Sequence, residues 1–527
     1  MRVVTRKRTA VAVAATGLLV PSGCNSLIDA NGYYELARST PDAATVAPDV
    51  AVTADGCVTA THRDALESAC TTSACVAYTA VLPTCDAGLC ALPPASMTTT
   101  VGDAATPDAS AAPDGSTSPG VGASTDGGLS TTDGGPSTSC SHVRADPSTI
   151  VYVTGSTALA GFISEVASAL ASSVAIVYQG SGSCVGVRSA LDPGDNVLSS
   201  ANGAATYYTT SGVEETCVLD PAEGLVADVG ASDVFYSTCY LGQSAQPPLP
   251  ASVGENFGPV QIMNFAVPQS STQQSISLTA AYYVFGFGGS TYPVAPWVDP
   301  SQLQIRNANS GTQSLIAAAI GVPPDAWKGV QHGTSAQVGT ALVAAGQSGT
   351  QRVVDSALGI LASDYLIQNA QTLRGLAVKD ENANCAYYPD STAFARDNAN
   401  ARDGHYPLWG PSHFYARVDP STNLPLKAGV SQFIDGLNGL TALPGLDLVA
   451  EYASKGLIPE CAMHVTRAND GGDYTPFKAP VTCNCYFDFH ATGTTSCKPC
   501  GANSDCPGSS PNCNKFGPQP QQGYCDL

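Results

Sequence analysis

TIVYVTGSTALAGFISEVASALA, residues 149–171, decides the fold. It opens on β-branched and aromatic residues, which suit a pleated strand. From Ser156 onward its apolar residues recur at helical spacing, so the stretch predicts a strand that turns sharply into a helix. The unit repeats at once. VAIVYQG (174–180) reads as a second strand, and SCVGVRSAL (183–191) starts a second helix. Strand–helix alternation continues to about residue 465 and predicts an α/β fold with mainly parallel sheets. Residues 190–228, with ATYYTTSGVEETCVLD inside, break the alternation and read as a hairpin insertion. YYVFGFG (282–288) reads as a core strand.

The chain has 527 residues, and charged residues make up only 12% of them. Its 22 Lys and Arg stand against 43 Asp and Glu, a formal net charge of −21. That balance excludes a nucleic-acid surface, because phosphate-backbone binding needs clustered positive charge. Any anion must be held by local dipoles and a few well-placed donors. The first 24 residues predict an export signal: Arg2, Arg6, Lys7 and Arg8, then the apolar run AVAVAATGLLV, then PSGC. Small residues before Cys24 resemble a lipoprotein cleavage box, in which Cys24 becomes the lipidated N-terminus. Pro21 departs from that box, and ordinary signal-peptidase cleavage is the alternative. Setting Cys24 aside leaves 18 of the 19 cysteines, an even number that suits disulfides in an oxidising compartment.

Composition divides the rest. Residues 25–90 read as a tether followed by a small Cys-rich segment (Cys57, Cys70, Cys75, Cys85, Cys90) that could borrow Cys140 as a sixth partner. Residues 91–139 contain no aromatic, Lys or Arg and read as a disordered linker. Residues 140–465 carry the alternation. Residues 466–527 read as a second, C-terminal Cys-rich module. Its CNC (483–485) and CKPC (497–500) predict disulfides rather than zinc in an exported chain.

Three strand-to-helix junctions stand out: TGSTAL (154–159), YQGSGSCVG (178–186) and RNANSGTQ (306–313). Each has glycine, which lets backbone approach a ligand, and hydroxyls at the helix entrance. Unpaired first-turn N–H groups and the positive end of the helix dipole make such a turn suited to an anion. Alone, each junction is ordinary capping. Three in one α/β chain, one beside an arginine, point to a shared anion.

In that order VTGSTAL, YQGSGSCVG, GASDV (230–234) and RNANSGT resemble the periplasmic phosphate-binding proteins, the solute receptors of phosphate ABC transporters. APWVDP around Trp297, ALGILASDYL (357–366) and YPLWGPSHFYARV (406–418) add to the likeness. The resemblance implies a two-lobed clamshell of the periplasmic-binding-protein type, flanked here by N- and C-terminal Cys-rich modules. It implies one lobe of residues 141–264 and 405–465 and another of 265–404, closing on a ligand by a hinge. It implies that Arg306, Ser310, Gly311 and Thr312 donate to the anion from one lobe, and Ser183 and the backbone N–H of Leu159 from the other. Asp233 would accept a ligand proton, which phosphate carries and sulfate lacks. Ala158 stands where the family has a threonine, and Thr157 can substitute. Ala308 replaces an acidic residue that steadies the arginine. Cys184 is unusual beside Ser183, and a disulfide to Cys217 or Cys239 would rigidify that turn.

No P-loop, nucleophile elbow or metal-ligand pattern is present, and GFGGST (286–291) is a glycine-rich turn only. The histidines, His405 and His413 included, read as surface or loop residues. The expectation is therefore a binding protein, not an enzyme, with no cofactor. Its ligand would be inorganic phosphate or a related oxyanion, its partner an ABC permease, and its membrane contact a lipid anchor at the cell envelope. The alternative is a surface interaction or adhesion protein that keeps the fold without transport.

Overall fold

The structure is a computed structural model. It describes residues 138–526 apart from 193–196, 201–203, 244, 290, 382, 384 and 519–520, together with 51–52, 58–59, 73, 75–78 and 82–83. The expected export signal, Cys24, and most of the tether and linker lie outside the described residues.

The opening stretch folds as its pattern predicts. β1 (Ile150–Gly155) leads to α1 (Ala160–Leu170), and β2 (Ala175–Gly180) leads to α2 (Ser183–Leu191). The hairpin β3 (Ala205–Tyr208) and β4 (Glu214–Cys217) follows, then β5 (Val229–Ser232) and the long β6 (Val253–Pro268). The second lobe holds α3 (Leu278–Phe287), β7 (Leu303–Arg306), α4 (Gly311–Ile320), β8 (Val330–His332) and α5 (Ser335–Gly346). It continues with β9 (Leu358–Ala362), the short α6 (Ser363–Gln368) and β10 (Leu373–Gly375). The return runs through β11 (Trp409–Arg417), α7 (Ala428–Leu437) and α8 (Leu448–Ser454). The C-terminal part contains the ribbon β12 (Val465–Arg467) and β13 (Tyr474–Pro476), then α9 (Asn484–Thr492). The ribbon β14 (Asn512–Phe516) and β15 (Gln522–Asp526) ends it.

One sheet runs through both lobes in the order β8-β7-β9-β6-β11-β5-β1-β2-β3-β4, with β10 also beside β6. Within each lobe the central strands are parallel, β5-β1-β2 in the first and β8-β7-β9 in the second. The two long strands that cross between lobes, β6 and β11, are antiparallel to each other and to their neighbours β9 and β5. β1 is buried at every position, as a strand covered on both faces must be, and so its residues read as a continuous apolar run rather than an alternation. Val153, Phe162, Val166 and Phe433 pack one core under α1 and α7. The larger core joins Phe265, Tyr283, Leu315, Ile360 and Trp409 with Tyr486 and Phe487 of α9, so the C-terminal part shares it.

Three expectations change. YYVFGFG lies in helix α3: the Ser277 hydroxyl accepts the Ala280 N–H at 3.0 Å, and Gly288 closes the helix in the left-handed region at φ 65°. Burial on all sides removes the apolar periodicity that distinguishes a helix from a strand. His405 and His413 are buried, not superficial; His413 Nδ1 lies 2.8 Å from Glu255 Oε1. Cys140 bonds Cys217, at the hairpin insertion, and Cys75 reaches Cys385 in the second lobe. Cys184 bonds Cys239, one of its two expected partners. The C-terminal cysteines form disulfides, Cys485–Cys497, Cys500–Cys513 and Cys506–Cys525, with Cys483 joined to Cys461. Among the described residues no helix is long and apolar enough to cross a membrane.

Candidate functional site

Parallel strands deliver their C-terminal ends to one edge of a sheet, and the turns that follow must lie together there. The turns after β1, β2, β5 and β7 meet in this way. At their centre is Asp233, one residue beyond β5 and 2% exposed. Its Oδ1 accepts the hydroxyl of the fully buried Ser156, and its Oδ2 accepts that of Ser183 at 3.1 Å. The Asp233 N–H returns to Ser183 Oγ at 3.3 Å. Burial pushes the Asp233 carboxyl up to about 6, against the pull of both serine hydroxyls and the charge of Arg306; Asp470 adds a smaller push upward.

The second lobe closes directly onto this carboxylate. Ser310 caps α4, and Gly311 begins it. A Cβ built on Gly311 would fall 2.3 Å from Ser183 Oγ and 2.7 Å from Asp233 Oδ2, so only glycine permits this approach. The first-turn N–H groups of α4 and α2 have no acceptor within their own helices, and both helices point their positive ends here. Two further bonds cross the seam: Cys184 N–H to the Asn309 carbonyl at 3.0 Å, and Arg188 Nη2 to Asn309 Oδ1 at 2.6 Å.

Arg306 ends β7 and is 3% exposed. Its Nη1 donates to Ser335 Oγ at 2.8 Å and its Nη2 to the Gly333 carbonyl at 3.0 Å, while Nε has no partner. Among the described residues no carboxylate lies within ion-pair distance of it. Burial lowers its affinity for the proton to a pKa of about 10, and the charges of Asp233 and Asp364 oppose that fall. Its charge survives at neutral pH.

Of the predicted site residues, Ser183, Asp233 and Gly311 are in mutual contact, with Ser310 and Thr312 flanking Gly311 and Arg306 within electrostatic reach. Leu159 is buried and gives its N–H to Ser156 Oγ at 3.2 Å, so that turn is closed internally. Thr157 and Ala158 are half-buried; the Thr157 methyl lies against Gly180. Ser156, within the TGSTAL turn, bonds Asp233, a contact that its local sequence does not announce. Asp364 was missed altogether. It is the second residue of α6, just after β9, its Oδ1 is shut off from solvent without a partner, and it feels both Asp233 and Arg306. Burial pushes it up to about 7. A sequence signal for it exists: Ala-Ser-Asp occurs at 231–233 and again at 362–364, each time as a sheet strand ends.

The site thus combines one buried guanidinium, two helix N-termini and two carboxylates. An anion with no proton would meet repulsion from the carboxylates, whereas a protonated one can donate to them.

No protein-family model matches the chain, and no curated protein matches it. Among solved structures it is similar to the ancestral soluble variant of the human phosphate binding protein. That likeness has 13% identity and a TM-score of 0.37, over 59% of this chain and 90% of that one. It is similar to an ABC-type phosphate transport receptor from Vibrio cholerae, at 14% identity and 0.34, over 58% and 99%. A phosphate-binding protein from Stenotrophomonas maltophilia gives 15% and 0.33, over 59% and 90%. The fold described here rests on the strand order, not on these likenesses.

Proposed function

We propose that this is an exported solute-binding protein that holds phosphate, or a similar protonated oxyanion, between its lobes. The observation that carries the reading is a buried carboxylate where two helix N-termini and a buried arginine converge. Asp233 makes sense there only if the ligand brings a proton, because an ionised carboxylate beside a bare anion costs far more than its neutral hydrogen-bonded form. Arg306 and the first residues of α4, Gly311 and Thr312, offer donors from one lobe, and the first turn of α2 at Ser183 offers them from the other. An anion held here therefore touches both lobes. The ordered motifs around these residues support the same ligand class. An N-terminal lipid at Cys24 and delivery to an ABC permease belong to the proposal as its cellular setting.

Calorimetry tests it. Purified protein, freed of bound anion by partial unfolding and refolding with disulfides intact, should bind phosphate at micromolar concentration and ignore sulfate at neutral pH. Asp233→Asn should admit sulfate, since the amide can donate where the carboxylate cannot. Heat from neither anion, in protein with an intact melting transition, would move the reading to a surface interaction protein. Continued exclusion of sulfate by Asp233→Asn would remove Asp233 as the discriminating group.

A further inference from the structure

A disulfide-closed loop reaches from the C-terminal part of the chain back into the seam between the lobes. Cys461 is bonded to Cys483, and the segment they enclose contains the ribbon β12–β13. At the tip of that ribbon, Asp470 Oδ2 accepts the Phe235 N–H at 2.9 Å and the Thr238 hydroxyl at 2.8 Å. Phe235 and Thr238 lie just beyond Asp233 in the first lobe, in the segment DVFYST. The next residue, Gly471, touches the second lobe: a Cβ built on it would fall 2.9 Å from the carbonyl carbon and oxygen of Ala318, inside α4. Two consecutive residues therefore join the Asp233 segment to the helix that begins at Gly311.

The surroundings confirm how tight the junction is. A Cβ on Gly410, in crossing strand β11, would lie 2.7 Å from Asp470 Oδ1, 3.1 Å from Leu315 Cδ1 and 3.6 Å from the Asp233 carbonyl oxygen. The root of the ribbon is braced on the same strand. Arg467 lies with its guanidinium carbon 4.0 Å from the Trp409 ring and 4.5 Å from the Tyr474 ring, and donates to the Pro407 carbonyl at 3.1 Å. Asp470 Oδ1 has no hydrogen-bond partner, and burial raises the Asp470 carboxyl above the usual carboxylate range. A buried carboxylate with one oxygen unserved is costly, so what it holds in place must offset that cost.

We propose that Asp470 is a positioning residue for the oxyanion site, tying the Asp233 segment to α4 from a disulfide-closed strap so that the two lobes stay shut and ligand leaves slowly. The closure stands on these contacts alone; only the slow release rests on the oxyanion reading above. The strap makes the chain suited to retaining an anion rather than exchanging it rapidly. Without such a strap, opening would break only the seam and ligand contacts. Here opening must also break the Asp470 bonds and slide Gly471 off α4.

The test reads closure and release separately on the full, disulfide-bonded protein. In phosphate-free protein, hydrogen exchange of the peptide containing Cys184 reports the bond from its N–H to Asn309 across the seam. Asp470→Ala should speed that exchange at least tenfold and leave β1 and β2 peptides unchanged. Asp470→Asn keeps an acceptor for Phe235 and Thr238 and should stay within about twofold of wild type. Should Asp470→Ala fail to fold, Thr238→Val deletes one of the two bonds and should give an intermediate effect. With labelled phosphate, Asp470→Ala should release ligand at least tenfold faster, with Asp470→Asn close to wild type. Equal protection of the Cys184 peptide in wild type, Asp470→Ala and Thr238→Val overturns the strap. Strong protection in a wild type that binds no phosphate keeps the strap and overturns the oxyanion reading instead.

Discussion

On the proposed reading, Arg306 and the two carboxylates decide what the site accepts. Arg306 is the one cation in the group that Asp233 and Asp364 also form, and its guanidinium is held by the neutral acceptors Ser335 and Gly333. No carboxylate among the described residues pairs with it directly, so on the proposed reading a bound anion would be its nearest counter-charge. Arg306→Ala should therefore weaken phosphate binding by at least about 2 kcal/mol, roughly thirtyfold, with little loss of fold. Calorimetric affinities equal to wild type would take Arg306 out of the site. Asp364 gives a second prediction through pH. Its native carboxyl is pushed up to about 7, while unfolded aspartate titrates near ~3.9. Between those values the native state binds more protons than the unfolded chain, so this group lowers stability as pH rises. Below the lower value both states are protonated and the effect vanishes. Asp364→Asn should melt higher than wild type at pH 8 without ligand and at about the same temperature at pH 4. A lower melting temperature at pH 8 would mean that ionised Asp364 is stabilising as the partner of Arg306.

At the scale of elements, helix α4 is central to the proposed site: its N-terminus faces Asp233, and its first residue lies directly against Ser183. Gly311→Ala places a methyl 2.3 Å from Ser183 Oγ, 2.7 Å from Asp233 Oδ2 and 2.9 Å from Ser183 Cβ, distances that real Cβ contacts do not show. The Ser183 and Asp233 side chains must leave their mutual bond or the seam must open. Phosphate affinity should fall at least tenfold, while circular dichroism and each lobe's packing are retained; unchanged affinity would mean that the lobes do not close through Gly311. These turns were legible in the sequence because their chemistry is local. Glycine, serine and threonine at 154–159, 178–186 and 306–313 announce tight strand-to-helix turns whatever the rest of the chain does. α3 was not legible, since a helix apolar on every side has the same residues as a buried strand, and only its length and the Ser277 and Gly288 ends separate the two. Asp364 was hidden differently: an acidic residue in the first turn of a helix is ordinary, and only its electrostatic interaction with Asp233 and Arg306 associates it with the site.

Taken whole, the molecule opposes its own proposed ligand. A net charge of −21 repels anions at long range, while Arg306 and the helix ends attract only at contact. What connects the two scales is burial, and burial depends on contacts that no local pattern displays. Asp470 lies 235 residues from Phe235, and the Cys75–Cys385 link spans 310 residues. Neither separation leaves a trace in composition or spacing, which is why the mutual contact of Ser183, Asp233 and Gly311 could be expected from motifs while the strap behind them could not. The charge distribution itself yields a kinetic expectation with a definite sign. Mobile ions screen the far acidic surface, about 8–10 Å being the range of unscreened attraction or repulsion near physiological salt. They leave the closed, water-excluded contacts almost untouched. Raising sodium chloride from 10 to 200 mM should therefore speed phosphate association by a few fold and leave dissociation unchanged, so that affinity improves with salt. Stopped-flow measurement with a phosphate-responsive fluorescence change would read both constants. An association rate that falls with salt would show that the field at the cleft mouth is positive despite the acidic surface, and that the arginine and helix dipoles steer the ligand from outside the seam.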